Sequence, residues 1–310
     1  MSGFMDLRRL SVRREHLAHW APVARRVLGK SLARLWGRDV MLYTGGVSFF
    51  ALLAVFPALA MLLGVYSLLL TPEQAVAQAD VFSRLLPPGA HALFQNELLR
   101  LAHAPIRAVS AQSVIAGVVG LYAAHRGFKA LLAGLSFIHD EDAPLSFWSF
   151  NLLAMGALAA AFAMTSFMTG VFLAVRLTAA AMHLSPLKGV HWFYSEWTWA
   201  SIGLTLGLTL IYRFAMSRRP VAWRPSIAGG LAAAGLSLGA SWASAFYVEQ
   251  FAHFGATYGS IAAVVVMLIW LSWNVNAIFF GAALATETEI FMEGGVVQTP
   301  RPAVNKAARP

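Results

Sequence analysis

Between Tyr258 and Glu287 the chain reads YGSIAAVVVMLIWLSWNVNAIFFGAALATE, with no charged side chain between those two residues. A helix needs about 20 apolar residues to cross the roughly 30 Å hydrocarbon core of a bilayer, and this run exceeds that. Only helices and closed barrels satisfy every backbone N–H and C=O without water, and an uninterrupted apolar run selects the helix. Five further apolar stretches of the same kind precede it, which predicts an all-α integral membrane protein with six transmembrane helices. Hydrophobic residues make up 58% of the chain and charged residues 12%, about half the usual charged share of a soluble chain.

The expected spans are 42–70, 109–124, 147–178, 197–216, 226–248 and 258–286, within a transmembrane domain of 41–290. Residues 1–40 form a basic segment whose Leu17, Trp20, Val27, Leu28, Leu32, Leu35 and Trp36 suit one side of an amphipathic helix. Such a helix can lie on an anionic leaflet, or serve only as an orientation signal. The long basic leader distinguishes the first span from a signal peptide, so that span is expected to remain in the mature protein. Pro57 removes a backbone donor inside the first span and is expected to kink it. Residues 73–101 alternate polar and apolar at helical spacing around Pro87-Pro88-Gly89, which predicts two short amphipathic helices on the outer face. The second span continues as a helix past His125, Arg126 and Lys129, leaving the membrane at its inner face. The tail 291–310 is expected to be flexible.

Six spans place both termini on one side, and the positive charges choose which. If the N-terminus is inside, 18 of the 23 Lys and Arg residues lie on inner segments. The positive-inside rule then assigns both termini to the cytoplasm. The same rule accounts for the net charge of +9 without a nucleic-acid partner.

Chemistry-bearing residues are sparse. The chain has no cysteine, and no GxSxG, HExxH or phosphate-binding glycine loop. Asp140-Glu141-Asp142 beside His139 can hold a metal, but a solvated helix-ending loop is the simpler reading. His183 and His191 lie eight residues apart across Pro186, which is not a standard ligand spacing. No cofactor, metal site or catalytic set is expected. Asn274 and Asn276, with Ser272 one turn from Asn276, either line a substrate path or bond neighbouring helices. Arg213, Arg218, Arg219 and Arg224, together with Arg126, suit contacts to an anionic headgroup at the inner leaflet, with positive-inside bias as the plainer account. Glu249 and Gln250 mark a candidate outer mouth or an ordinary loop. Gly203/Gly207 and Gly235/Gly239 have the GxxxG spacing that permits close helix packing.

Several runs together resemble the YihY/BrkB family of bacterial inner-membrane proteins, once labelled ribonuclease BN. These are Ser48-Phe49-Phe50-Ala51-Leu52-Leu53 with Phe56-Pro57, Tyr212-Arg213, Trp223-Arg224, Gly229, Tyr258-Gly259-Ser260, Leu268-Ile269-Trp270-Leu271 and Gly281-Ala282, across roughly 40–289. Where the family often has Gly-Ala-Glu, this chain has Ala283 in the acid's place and Glu287 one turn later; Ser136 stands where the family has Asn. The resemblance implies six helices, a role in the envelope, links to serum resistance and export of lipid-like molecules, and a mistaken ribonuclease label. The resulting expectation is a transporter or translocase for an anionic amphipathic envelope molecule such as a lipid. Membrane lipids, and a homo-oligomer or envelope proteins, are its expected partners. The alternatives are a non-transporting scaffold for envelope machinery and, third, a ribonuclease using Asp140, Glu141 and Asp142.

Overall fold

The computed structural model describes residues 22–36, 40–67, 111–141, 146–181, 195–250 and 262–294. Every regular element among them is an α-helix: α1 (Pro22–Trp36), α2 (Val40–Ser67), α3 (Ala111–Ile138), α4 (Phe147–Ala181), α5 (Glu196–Ala215), α6 (Trp223–Gln250) and α7 (Ala262–Met292). The expected outer helices at 73–101, His183, His191, Asp142 and the tail beyond Gly294 lie outside the described residues. So does the start of the sixth expected span, Tyr258 to Ile261.

Six long helices overlap the six expected spans, the one at 109–124 running on as a helix to Ile138 past His125, Arg126 and Lys129. Three of them are long and apolar enough to cross a membrane, over Phe147–Thr178, Trp223–Tyr247 and Val264–Met292. The bent pair Pro22–Trp36 and Val40–Val55, set at 73°, makes a fourth where the two count as one span. Among the described residues the count is therefore three or four, not six. His125, Arg126 and Lys129 break the apolar run of α3, while Thr198, Ser201, Thr205, Thr209 and Arg213 dilute that of α5.

The long helices close into a ring in which each packs on its sequence neighbours and α7 returns to α2. Burial is inverted relative to a soluble bundle. Trp148, Leu152 and Trp242 are 81%, 75% and 73% exposed, while the contacts are made by Ala233, Ala282, Ala283 and Ala285. Lipid is as apolar as leucine, so helix contact depends on close packing, which small side chains allow. Large buried side chains gather at one end, where Leu132, Leu135 and Ile138 of α3 meet Tyr212, Met216, Val221 and Phe279.

The close approaches are not at the GxxxG pairs. A Cβ at Gly207, Gly235 or Gly239 would meet nothing within 4 Å, and at Gly203 only the Met168 side chain. The backbones converge instead at Gly229 and Gly281, where a Cβ on Gly229 would collide with the Gly281 carbonyl. A Cβ on Gly281 would lie 2.6 Å from the Gly229 carbonyl oxygen and 2.8 Å from Tyr212 Oη. Spacing alone does not say which side of a helix meets a neighbour. Pro57 lies in a continuous α2, and its ring occupies the space that a side chain at Gly120 of α3 would need.

Gly229→Val is expected to destabilise the bundle by about 1–3 kcal/mol, because the obstructing atom is a backbone carbonyl that cannot swing aside. Gly235→Ala, with open space around it, should be neutral or slightly stabilising. Thermal unfolding of the two variants in detergent checks the contrast.

Candidate functional site

The residues expected along a substrate path separate in space. Ser272 and Asn276, one turn apart on α7, face Ser48 and Thr44, one turn apart on α2. Thr44 Oγ1 reaches Asn276 Oδ1 at 3.1 Å, and Ser272 Oγ reaches Ser48 Oγ at 3.4 Å. They form a two-rung polar ladder between helices. Asn274 turns away from it and donates to the Trp270 carbonyl of its own helix at 2.8 Å. Glu249 and Gln250 belong to the last turn of α6 rather than to a loop, and their side chains lie outside the described set.

The arginines divide in the same manner. Arg213 closes the α5–α6 corner: Nη1 donates to the Val221 carbonyl at 2.6 Å, and the guanidinium lies 4.2 Å from the Trp223 ring centre. Its backbone carbonyl accepts from Val221 N at 3.1 Å, so the arginine holds both ends of the corner. Arg218, Arg219 and Arg224 are exposed around that corner. Arg126 does not join them, because it lies twelve residues, about 18 Å of helix, before the end of α3.

A polar cluster at the tightly packed end was not anticipated as a unit. Its centre is Arg34 of α1, which donates to Glu287 of α7, to Asp140 and to the Ile138 carbonyl. Glu287 is almost fully buried. Burial opposes the Arg34 charge, but the hydrogen bonds and negative charges of Glu287 and Asp140 outweigh it and raise its pKa. The bond to Ile138 also places a cation on the C-terminus of α3, where unpaired carbonyls concentrate negative potential.

The end of α3 explains why an aspartate stands there. Glu141 N bonds Ser136 O at 3.1 Å and Asp140 N bonds Phe137 O at 3.4 Å, the pairing of a Schellman helix end. Asp140 takes the left-handed position with φ 59°, where glycine has no steric cost. Aspartate tolerates that conformation better than most residues, and its carboxylate is the one that meets Arg34. Its neighbour Glu141 points elsewhere, accepting from Ser217 Oγ at 2.6 Å and Arg218 N at 3.1 Å. Glu289 accepts from Ala222 N at 3.1 Å. One cluster thus ties α1, the end of α3, the α5–α6 corner and the end of α7. Asp140 and Glu141 diverge to different partners, and among the described residues no three His, Asp or Glu side chains converge on a metal position.

His139 completes the cluster, with Nδ1 3.1 Å from Thr286 Oγ1 and Nε2 3.8 Å from Glu289. Thr286 gives its hydroxyl proton to the Ala282 carbonyl, so Nδ1–H donates to Thr286. Burial lowers the His139 pKa below its ordinary 6.5, and Arg34 adds to that. Glu289, Glu141 and Asp140 pull the other way and do not prevail. His139 is therefore neutral at pH 7, and its contact with Glu289 is not an ion pair. Below pH 6.5 the unfolded chain binds the proton more readily than the folded one. This contribution to stability is complete above that pH and is lost as pH falls through the lowered value. His139→Gln should flatten the decline in thermal stability as pH falls below 7, measured against wild type in detergent. Asp140→Gly tests the other constraint: the backbone relaxes, yet the protein should lose roughly 0.5–2 kcal/mol as Arg34 loses a counter-ion.

Comparison with known proteins places this architecture. A 40% identical stretch of 68 residues aligns with a UPF0761 membrane protein of Nitrosospira multiformis, covering 22% of this chain and 16% of that one. The ribonuclease-like protein YfkH of Bacillus subtilis is 24% identical over 248 residues, 77% of this chain and 86% of that protein. No solved structure matches. The family model for virulence factor BrkB matches residues 31–304, which includes Arg34, the α3 and α5–α6 corners and Glu287. The chain belongs to this BrkB/YihY family of membrane proteins.

Proposed function

We propose that this is a multi-pass protein of the bacterial inner membrane that moves an anionic, amphipathic envelope molecule such as a lipid between leaflets, without catalysing a reaction on it. The chain crosses the membrane six times in this reading and keeps both termini in the cytoplasm. α1, the two corners and the end of α7 meet at one end of the bundle, as an even number of crossings requires. The excess of basic residues in those segments supports placing that end in the cytoplasm.

The observation that carries the reading is the Arg34 clasp. A buried ion pair is a poor means of adding stability, because desolvation offsets much of the attraction; its best-attested use is to set one arrangement against another. Here one arginine holds the N-terminal helix to the ends of α3 and α7 through two carboxylates. An incoming anionic headgroup competes for the same guanidinium and can release those contacts. Exposed Arg218, Arg219 and Arg224 at the same end attract such a group first. No nucleotide-binding motif is present in the sequence, so movement is passive, ion-coupled or driven through a partner.

A second reading, a scaffold for envelope machinery, draws support from the ladder between α2 and α7. Ser272 and Asn276 are engaged in joining helices. Its partners would be further copies or envelope proteins. The ribonuclease-like name of the Bacillus relative finds less support, since metal-dependent phosphate chemistry wants converging carboxylates.

Purified protein in liposomes should accelerate movement of fluorescent phosphatidylglycerol between leaflets relative to protein-free liposomes. Glu287→Gln, which removes one side of the clasp, should change that rate several-fold. No movement of anionic or neutral lipid by wild type, with stable protein partners in a detergent pull-down, would replace translocation with the scaffold reading.

A further inference from the structure

One outward face of α3 changes character along its length. Val118, Leu121 and Tyr122 are exposed and apolar or aromatic; within two turns the same face carries His125, Arg126 and Lys129. The first turn of α4 lies against this cationic band. Asn151 Oδ1 accepts from Lys129 Nζ at 2.9 Å and faces His125 Nε2 at 3.2 Å, while Asn151 Nδ2 donates to the Phe147 carbonyl at 2.6 Å. Phe147 and Trp148 are exposed at the same level, 71% and 81%. Aromatic rings and long cations together mark the depth where hydrocarbon meets headgroups.

The charges at this level are unlike those of the clasp. Lys129 Nζ sits 5.4 Å from the Phe147 ring centre and 5.8 Å from Phe150. Arg126 lies 5.6 Å from Tyr122 and 5.9 Å from Phe50 of α2. Among the described residues no carboxylate pairs with either cation. His125 Nδ1 is buried and has no hydrogen-bond partner. Two cations at the edge of a low-dielectric medium, fixed by an asparagine and aromatic rings, lack a counter-anion among the described residues. The apolar surface directly below them has the chemistry of an acyl-chain contact.

We propose that the α3–α4 groove at His125, Arg126 and Lys129 binds the headgroup of an anionic phospholipid of the cytoplasmic leaflet, its chains lying along Val118, Leu121 and Tyr122. The start of α4 adds the positive end of a helix dipole beside the phosphate. This inference rests on the membrane placement given under Proposed function and adds a defined lipid position to it. It requires binding, not movement, so the two can fail separately.

Native mass spectrometry of the detergent-solubilised protein, titrated with phosphatidylglycerol and with phosphatidylcholine, tests the site. Wild type should retain phosphatidylglycerol preferentially. Arg126→Gln/Lys129→Gln should weaken that retention by about tenfold or more, given what each basic residue near a bilayer surface contributes. Arg301→Gln/Lys306→Gln, which removes the same charge from the C-terminal tail, should stay within about twofold of wild type. Arg126→Lys should preserve binding and, by its unchanged melting curve, separate lost affinity from lost folding. Equal retention of phosphatidylglycerol by wild type and the Arg126/Lys129 double variant would overturn the site. Displacement of the lipid by millimolar glycerol phosphate would overturn the acyl-chain contact. Lipid binding that persists while wild type moves no lipid would overturn translocation alone.

Discussion

The bundle depends on how near α6 and α7 can come. Gly229 and Gly281 leave no room for a Cβ on either side, so the two helix backbones meet almost directly. That approach lets Tyr212 of α5 donate to the Ile278 carbonyl at 2.7 Å, across the α7 surface. One turn beyond Ala282, Ala283 and Ala285, the end of α7 is then positioned to present Glu287 to α1 and Glu289 to the α5–α6 corner. In lipid, no hydrophobic force would gather these helices at a distance, so close contact has to come from side-chain size. The charged cluster at that end of the bundle is in this sense downstream of two glycines and three alanines.

Much of the helix layout was legible in the sequence because lipid imposes a simple rule on composition. The run expected at 226–248 is α6 at Trp223–Gln250, and the second expected span was already seen to continue as a helix to Ile138. What the sequence did not disclose is which faces meet. Arg34 and Glu287 are separated by 253 residues, and no local pattern links them. Glu287 was visible only as an acid one turn beyond the position where the resemblance implies one, and its partner was hidden in a segment that read as a surface helix. The glycine pairs failed for the same reason: GxxxG at Gly235 and Gly239 describes one face of α6, while the contact uses the face carrying Gly229.

The polar residues of the spans show the same limit from the other direction. Ser272, Asn274 and Asn276 are near one another in sequence, but a helix sends Asn274 away from the other two. Interhelical bonding, one of the two readings open beforehand, describes Ser272 and Asn276. Asp140 was legible as part of an acidic loop but not as a left-handed helix end. Its conformation became intelligible only once Arg34 was seen across from it. A residue that tolerates a glycine position in order to place a carboxylate signals that the carboxylate matters more than the turn.

The two charged regions differ in a way that bears on function. At the clasp, Arg34 has two carboxylates and a helix-end carbonyl, so any anion arriving there must displace protein groups and the contacts they hold. At the α3–α4 groove, Lys129 and Arg126 are steadied by rings and an asparagine that neutralise nothing. An anion can settle in the groove without disturbing the fold, whereas at the clasp it can settle only by altering it. A ligand shifts a conformational balance only through unequal interaction with the two states. By that criterion the groove suits a resident lipid, and the clasp is where binding can be converted into a change of shape.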